Sequence, residues 1–508
     1  MARKAPQAYL DLKEASVEIQ TFNSILSLLH WDQETFMPQG AIVPRSEQIA
    51  LLSGYIHELK TSRKYKSLIE KLASISTGRI KAKGLSAREK AAVREWTNEI
   101  FRLQKLSPKF VKQFSQLTSE ASQIWQSAKK ESNFKLFAPF LKRILDMTRE
   151  KTSLYGYEEH PYDALLGCYE PCMTSAKLQK IFTPLKKELI RLLDQIRGSK
   201  QIDDRFLHGS FDAKKQIALG ESLLSALPID PAYSRLDLSA HPFSIAMHPH
   251  DSRITTRILP KGFMSNLFSV LHEAGHSMYE MGLPTEQWGT PLAEAVSLSI
   301  HESQSRWWET LIGRSSAYWR HFYPLVQKTF PGKLGKVPLD RFYRAINKVS
   351  PGFIRVEADE VTYCLHVILR FEIESALISG DLQVYDLPEA WRSKMKELLG
   401  ITPKTDREGC LQDVHWSLGD FGYFPTYALG NLFAAQFFSA FSKEHRDWEE
   451  RVSKGDLAFV RDWLKVQIHS HGKQYNSEEL VKRITGKPLS ADAYCRYLKA
   501  KYSEIYTP

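Results

Sequence analysis

Apolar residues recur at intervals of three and four along the first part of the chain, from Tyr9 to about Lys200. This spacing is typical of amphipathic helices, because residues three or four apart share one helix face. Two such runs are Ile19, Phe22, Ile25, Leu26 and Leu29, then Ile49, Leu52, Ile56 and Leu59. Residues 31–38 interrupt the spacing, and we predict a packed turn there with Trp31 as its aromatic anchor. The pattern predicts a first lobe made of helices packed on helices.

A different period appears between residues 241 and 258. Ile254, Thr256 and Ile258 alternate with polar or charged residues, which is the two-residue period of a strand. We predict a short strand that leads into the next helix and belongs to a small antiparallel sheet.

The apolar residues that follow again have helical spacing, and residues that begin and end helices flank them. Pro260 precedes the run, and Gly282 and Pro284 follow it. The apolar positions are Phe263, Leu267, Val270, Leu271, Ala274, Met278 and Met281. We therefore predict a helix over residues 262–281.

Two histidines lie four residues apart in this predicted helix. His272 and His276 therefore share one face, and two imidazoles on one face hold a single divalent ion in zinc peptidases. Glu273, next to the first histidine, is placed to reach a water molecule on that ion. The alternative is that one histidine is simply buried and the other exposed, since so short a motif also arises by chance. The helical context favours the metal site.

A four-coordinate catalytic site needs one more protein ligand besides two histidines and a water molecule. We expect a carboxylate from residues 289–304, where Thr290 and Pro291 are typical of a helix start. Glu294 and Glu302 lie eight residues apart and hence on nearly the same side of such a helix. Periodicity leaves the choice between them open, and either could be a solvated acid.

The length of 508 residues predicts roughly two or three domains. Yet no linker, low-complexity segment or internal repeat divides the chain. We predict a single peptidase domain over residues 1–508. It should be mainly α, with two lobes around a deep groove. In this interpretation residues 1–200 form the helical first lobe, and residues 201–508 carry the metal site and the groove.

Composition and charge exclude several classes of protein. The chain is 43% hydrophobic and 11% aromatic, which excludes disorder. Its net charge of +11 suggests a nucleic-acid partner, but acidic and apolar residues interrupt the basic clusters at residues 60–71 and 79–90. Because no recognition motif accompanies them, a solvated basic surface is the better interpretation, and no nucleic-acid partner is expected.

The amino-terminal sequence and the cysteines predict a cytoplasmic protein. Residues 1–8 lack the apolar stretch of a signal peptide, and no run of about 18 apolar residues marks a membrane span. The five cysteines lack a CxxC pair, so we expect reduced thiols. Cys168 and Cys172 lie four residues apart, but the absence of nearby histidines argues against a metal site there.

Motifs spread over most of the chain resemble those of the carboxypeptidase Taq family of metallocarboxypeptidases. They stand in the family's order at residues 31–38, 162–166, 241–243, 251–255, 290–304, 354–360 and 409–416. His-Glu-Ser-Gln at 301–304 resembles the family motif whose glutamate is the third metal ligand, which implies Glu302. Cys172 and residues 248–250 differ from the family pattern, and neither position is a ligand.

The resemblance implies a metal-dependent carboxypeptidase that releases single residues from a peptide with a free C-terminus. The cofactor is then one divalent ion, zinc or else cobalt, and Glu273 is the general base. Related helical zinc peptidases include oligopeptidases and peptidyl-dipeptidases, which are the alternative function. The sequence leaves open whether the chain is a monomer or a homodimer.

The motifs near the end of the chain supply candidates for transition-state stabilisation. Tyr423 and Tyr427 could each donate to a developing oxyanion or to the substrate terminus, and the resemblance favours Tyr423 for the oxyanion, with His415 nearby in a predicted loop. Tyr427 is predicted either to bind the substrate or to pack against the helix that follows it.

Recognition of a C-terminal carboxylate requires a cation, and an arginine provides two parallel charge-assisted hydrogen bonds. Arg355 is the candidate, and Arg253 on the predicted strand is its rival. His241 lies in a family motif and is a candidate for substrate binding. Asp359 and Glu360 are expected either to orient a metal-bound histidine or to pair with Arg355 or a neighbour. The edge of the predicted strand is expected to pair with an extended peptide.

Overall fold

Helices form most of the molecule, as the spacing of apolar residues predicts. The computed structural model describes residues 5–506. Residues 1–4 of the amino-terminal segment and residues 507 and 508 lie outside the described part of the chain. The prediction of a mainly α fold with a small sheet is confirmed.

The first helices have a hydrophobic core of their own, which Leu292 joins from a distant part of the chain. They are α1 (Gln7–Thr35), α2 (Ile42–Thr61), α3 (Arg63–Leu72) and α4 (Ala87–Leu103). A reciprocal cap begins α4. The Ser86 hydroxyl accepts a hydrogen bond from the Glu89 amide (3.2 Å), and the Glu89 carboxylate accepts one from the Ser86 amide (2.6 Å).

The prediction of a packed turn at residues 31–38 is wrong for residues 31–35, which are helical. Helix α1 continues to Thr35, and Trp31 is a buried residue of that helix. The polar residues 32–34 interrupt the apolar pattern but not the helix, because a helix accommodates polar residues away from its buried side. Pro38 is the first residue that cannot continue a helix.

Further helices precede the sheet, and their buried residues join a large core that fills the rest of the molecule. They are α5 (Pro108–Glu131), α6 (Phe134–Tyr155), α7 (Pro161–Tyr169), α8 (Ser175–Arg197) and α9 (Ala213–Ala226).

The sheet of the described chain is mixed rather than wholly antiparallel. Its strands are β1 (Ser234–Leu238), β2 (Ser244–His248) and β3 (Asp251–Thr256). β3 is central, pairing parallel with β1 and antiparallel with β2. A tight turn joins β2 to β3, whereas residues 239–243 carry the chain across the sheet and so leave β1 parallel to β3. Because β3 is paired on both sides, an extended peptide has only the outer edges of β1 and β2 to pair with.

The helix predicted over residues 262–281 is confirmed as α10 (Phe263–Gly282). Six of the seven predicted apolar positions are buried, Met281 being the exception, and residues between them are buried as well, so most sides of α10 face the interior. The α10 helix packs against β3 and β2, which places the sheet beside the two histidines.

The helix predicted to start at Thr290 is wrong at its beginning. Thr290 caps only a short 3₁₀ turn (Pro291–Ala293), and helix α11 (Leu298–Arg306) begins after Ser297. The Ser297 hydroxyl accepts a hydrogen bond from the Ile300 amide at 3.2 Å, so a second N-cap signal lies within the same segment. Glu294 and Glu302 therefore do not share a helix.

A π-helical segment, Trp307–Ile312, continues α11. The later helices are α12 (Ser316–Thr329), α13 (Pro331–Leu334), α14 (Leu339–Ile346), α15 (Tyr363–Ser379), α16 (Leu387–Leu399), α17 (His415–Leu418), α18 (Pro425–Glu444), α19 (Trp448–Ser453), α20 (Ala458–Gln467), α21 (Ser477–Thr485) and α22 (Asp492–Ile505). None of the helices in residues 5–506 is long and apolar enough to cross a membrane.

Two glycines allow α11 to pack very closely between α10 and α18. A β-carbon added to Gly275 of α10 would lie 2.5 Å from the backbone oxygen of Gln304. A β-carbon added to Gly430 of α18 would lie 2.5 Å from Cγ of Glu302. Since real β-carbons do not approach other atoms this closely, both positions require glycine.

Candidate metal centre and active site

Three side chains from α10 and α11 converge on one point. Nε2 of His272 lies 3.7 Å from Oε2 of Glu302, and Nε2 of His276 lies 3.6 Å from the same oxygen. Donors bound tetrahedrally to one zinc ion at about 2.0–2.1 Å are separated by roughly 3.4 Å. The three ligand atoms therefore fit a single divalent ion, and His272, His276 and Glu302 form a possible metal site in the described chain.

The carboxylate of Glu302 is held in place by its neighbours on α11. Arg306 Nε donates to Oε1 at 2.7 Å, and Ser305 Oγ donates to Oε2 at 3.0 Å. These bonds turn Oε2 towards the histidines. The other candidate, Glu294, forms an ion pair with Lys473 instead.

The metal-facing orientation of His272 depends on Glu309, which sequence reasoning missed. Its Nδ1 lies 2.8 Å from Oε2 of Glu309, and Arg306 Nη1 donates to the same carboxylate oxygen at 3.1 Å. A carboxylate on Nδ1 fixes the ring so that Nε2 is free to bind a metal. Glu309 lies seven residues, or about two helical turns, after Glu302. This spacing places both glutamates on one side of a helix and is the signal in the sequence that could have identified Glu309.

His301 plays the corresponding part for His276 and was also missed. The two rings are stacked with centroids 4.4 Å apart, and their Nδ1 atoms lie 2.5 Å apart. Nε2 of His301 lies 2.7 Å from Oε1 of Glu280. Glu280, His301 and His276 thus form a hydrogen-bonded chain that ends at Nδ1 of His276, which leaves Nε2 of that ring to face Glu302.

The expectation that Asp359 or Glu360 orients a metal-bound histidine is wrong. Asp359 instead accepts hydrogen bonds at the start of α15, including one from the Thr362 amide at 2.9 Å. Glu360 forms an ion pair with Lys501 at 2.7 Å. Short polar side chains at the start of a helix commonly accept hydrogen bonds from its unpaired amides. Asp359 has this local role, so it is not available to a histidine of the metal site.

Glu273 is buried beside the metal ligands, with 7% of its surface exposed. Burial raises the pKa of its carboxyl group to about 7, although the charge of His272 opposes the increase. A group with this pKa exchanges a proton readily near neutral pH.

The rings of His415, Tyr423 and Tyr427 form a cluster. The rings of His415 and Tyr423 are 5.2 Å apart, and His415 Nε2 lies 3.3 Å from the Tyr427 hydroxyl. Tyr427 precedes Gly430 by three residues on α18, so both lie on the face that touches Glu302. His415 begins the short helix α17 rather than lying in a loop. Burial lowers its pKa to about 4, so its ring is neutral near pH 7.

Arg355 is buried beside this cluster and has a partner within the chain. Its Nε and Nη2 both lie 3.0 Å from Oδ1 of Asp413, and its Nη1 donates to the Tyr363 hydroxyl at 3.2 Å. Its guanidinium lies over the Tyr427 ring, 4.7 Å from the centroid. Arg370 binds the other oxygen of Asp413 at 2.5 Å. Two buried arginines therefore share one carboxylate, which leaves one positive charge in excess.

The two other predicted substrate-binding residues lie on the sheet side. Arg253 pairs with Asp251 at 3.0 Å and stacks 4.2 Å above the Trp31 ring. His241 is exposed, and its backbone oxygen accepts a hydrogen bond from Ser239 at 2.6 Å. Their roles stay predictions.

A helix carrying His-Glu-x-x-His, a glutamate from the next helix and a mainly helical body together define a helical metallopeptidase. The family model described as "Carboxypeptidase Taq (M32) metallopeptidase" matches residues 11–502. The chain belongs to this family, which confirms the resemblance. It is a peptide hydrolase, a carboxypeptidase that depends on a divalent metal and acts on peptides.

Relatives of known name cover nearly the whole chain. "Thermostable carboxypeptidase 1" of Thermus thermophilus is 41% identical over 98% of this chain and 99% of its own. "Carboxypeptidase 1" of Bacillus subtilis is 38% identical over 96% of each. Among solved structures, the M32 carboxypeptidase of Deinococcus radiodurans has a TM-score of 0.95 at 34% identity, over 99% of this chain and 100% of that one.

Proposed function

We propose that His272, His276 and Glu302 hold one zinc ion. The convergence of two imidazole nitrogens and one carboxylate oxygen is the observation that carries this proposal. These donors suit zinc, and cobalt is the alternative ion for the same set. A bound divalent ion supplies Lewis acidity, which polarises a carbonyl group and lowers the pKa of water.

Glu273 is the general base in this proposal. It lies next to His272, and its pKa of about 7 suits a group that first accepts a proton from water and then gives it to the leaving amine. Its burial keeps other water away from the carboxylate, so the proton it takes is available for the amine.

Tyr423 and His415 donate to the oxyanion. Burial raises the pKa of Tyr423, so its hydroxyl keeps the proton that an oxyanion needs. The carboxylate of Glu302 also raises the pKa of both Tyr423 and Tyr427, which supports a position close to the metal site. Tyr427 is proposed to contact the substrate. Its hydroxyl lies 3.3 Å from Nε2 of His415, which places it beside the proposed oxyanion donors.

Arg355 attracts the C-terminal carboxylate of the peptide. Its burial and the sharing of the single Asp413 carboxylate with Arg370 support this role, because a buried guanidinium that lacks a carboxylate of its own favours an anionic ligand. Arg253 is a weaker candidate, since Asp251 already balances its charge. His241 is proposed to contact the peptide from the loop between β1 and β2.

The same proposal covers the assembly and the setting of the enzyme. We infer one peptidase domain with two lobes around a groove, working in the cytoplasm, where the five free cysteines stay reduced. We also infer a homodimer, because α2 exposes a row of apolar residues on one side: Val43 (65%), Leu51 (78%) and Tyr55 (42%).

Digestion of a peptide of known sequence tests the function directly. We expect successive loss of single C-terminal residues, complete suppression by a chelator, and recovery when zinc is added back. Release of dipeptides, or cleavage inside the peptide, would contradict the proposal. Mass spectrometry of the products distinguishes these results.

A further inference from the structure

Glu374 is a fully buried carboxylate of α15 that lies outside the metal centre. Its Oε1 accepts a hydrogen bond from the Trp416 indole at 2.8 Å. Its Oε2 accepts one from the Tyr162 hydroxyl at 2.7 Å and one from the Gly422 amide at 3.1 Å. An ionised carboxylate has enough lone pairs to accept all three.

Two of these donors are the chain neighbours of the proposed oxyanion donors. Trp416 directly follows His415, and Gly422 directly precedes Tyr423. One carboxylate therefore holds both ends of residues 415–423.

Two neighbouring contacts strengthen this arrangement. Arg370, one helical turn before Glu374, binds Asp413 just ahead of the segment. Gly422 has a φ of +90°, and a β-carbon there would lie 2.8 Å from the Leu166 amide nitrogen of α7. The glycine lets the chain pass close to α7 with its amide directed at Glu374.

We propose that Glu374 is a positioning residue that holds His415 and Tyr423 in place for the reaction. The proposal rests on the oxyanion role of these two residues in the proposed function. A carboxylate is required because all three neighbouring groups are donors. Glutamine offers one acceptor oxygen and an NH₂ group, so at least one donor would face another donor.

The test compares Glu374→Gln with Glu372→Gln, a control on the same helix. Glu372 is partly exposed and pairs with Lys186 (2.7 Å) and Lys394 (2.6 Å) at the surface. In Glu374→Gln we expect faster amide hydrogen exchange across residues 415–423 and a kcat lower by about 10–100-fold, the effect of a small misplacement of catalytic groups. Metal content and KM should remain near the parental values, and the control should resemble the parent in every measurement.

Trp416→Phe provides a second variant in case Glu374→Gln folds poorly. It removes the indole N–H donor and part of the buried ring while leaving the Glu374 carboxylate in place, and we expect the same changes in smaller size. A double variant, Glu374→Gln with Tyr423→Phe, should lose less kcat than the product of the single losses if Glu374 acts through Tyr423.

The outcomes separate this proposal from the one on which it rests. Unchanged hydrogen exchange, a parental kcat in Glu374→Gln, or fully multiplicative losses in the double variant would overturn the positioning role. A parental kcat in Tyr423→Phe alone would overturn the oxyanion role of Tyr423 instead, since that variant leaves every contact of Glu374 intact.

Discussion

The surroundings of Glu302 and Glu294 differ in a way that metal analysis can measure. Glu302 faces both histidines, whereas Glu294 pairs with Lys473. We expect purified Glu302→Ala to contain little metal and Glu294→Ala to retain it. Metal retained in the first variant, or lost from the second, would show that the third ligand is assigned wrongly.

Glu273 can be separated from the ligands beside it. Glu273→Gln keeps the shape of the side chain but cannot accept a proton. We expect a full metal content with turnover reduced by about 10²–10⁴-fold, the usual contribution of a general base. A metal-replete variant with near-normal turnover would remove Glu273 from the mechanism.

Arg355 and Arg253 should respond differently to the charge at the end of the substrate. Arg355→Ala leaves Asp413 paired with Arg370 and removes the excess positive charge. We expect it to weaken transition-state binding of a free-acid peptide by about 2–5 kcal/mol, and to affect the C-terminally amidated peptide much less. The measurement is kcat/KM for both peptides.

Arg253→Ala is the matched control for that comparison. Its arginine is balanced by Asp251, so we expect no selective loss with the free acid. If the selective loss appears at Arg253 and not at Arg355, the carboxylate is bound on the sheet side of the site.

At the scale of the helix, α11 and its π-helical continuation decide how the histidines are oriented. A π turn adds a residue to the helical repeat and so changes which later side chains face α10. This segment carries Glu309, which binds Nδ1 of His272.

Glu309→Gln should therefore weaken metal binding without removing a ligand. The amide cannot accept as strongly from His272, and we expect the metal dissociation constant to rise by about 10–100-fold. Titration of the metal-free protein with zinc measures this, with the exposed Glu286→Gln as control. Equal affinity in both variants would contradict an orienting role for Glu309.

Local spacing explains which parts of the site could be predicted. His272, Glu273 and His276 lie within one helix, so their shared face follows from sequence alone. Glu302 could be chosen over Glu294 only through family resemblance. Two N-cap signals, Thr290 and Ser297, lie in one segment, and the local sequence alone does not show which of them begins α11.

At the scale of the whole molecule, contacts distant in sequence were beyond prediction. The parallel pairing of β1 with β3 depends on a crossover that alternation does not reveal. The pairing of Arg355 and Arg370 with Asp413 joins residues more than 40 positions apart, and no local pattern links them. The mainly helical architecture, in contrast, follows directly from apolar spacing.

The apolar row on α2 makes a prediction about assembly. Leu51→Glu puts a charge in the middle of the proposed dimer contact, and we expect a dimeric parent to become monomeric. Val466→Glu, at another well exposed apolar site, on α20, should leave the assembly unchanged. Sedimentation of the three proteins measures the masses, and a dimer that persists in Leu51→Glu would exclude this surface.

The two glycines that enclose α11 also set how metal can leave the protein. Gly430 lies against the Glu302 side chain and Gly275 against the α11 backbone, and Glu302 itself is buried. We therefore expect an ion bound there to lose this ligand mainly when the helices move apart. The rate at which a chelator removes the ion should therefore report how often the protein interior opens around α11, without any label attached to the protein.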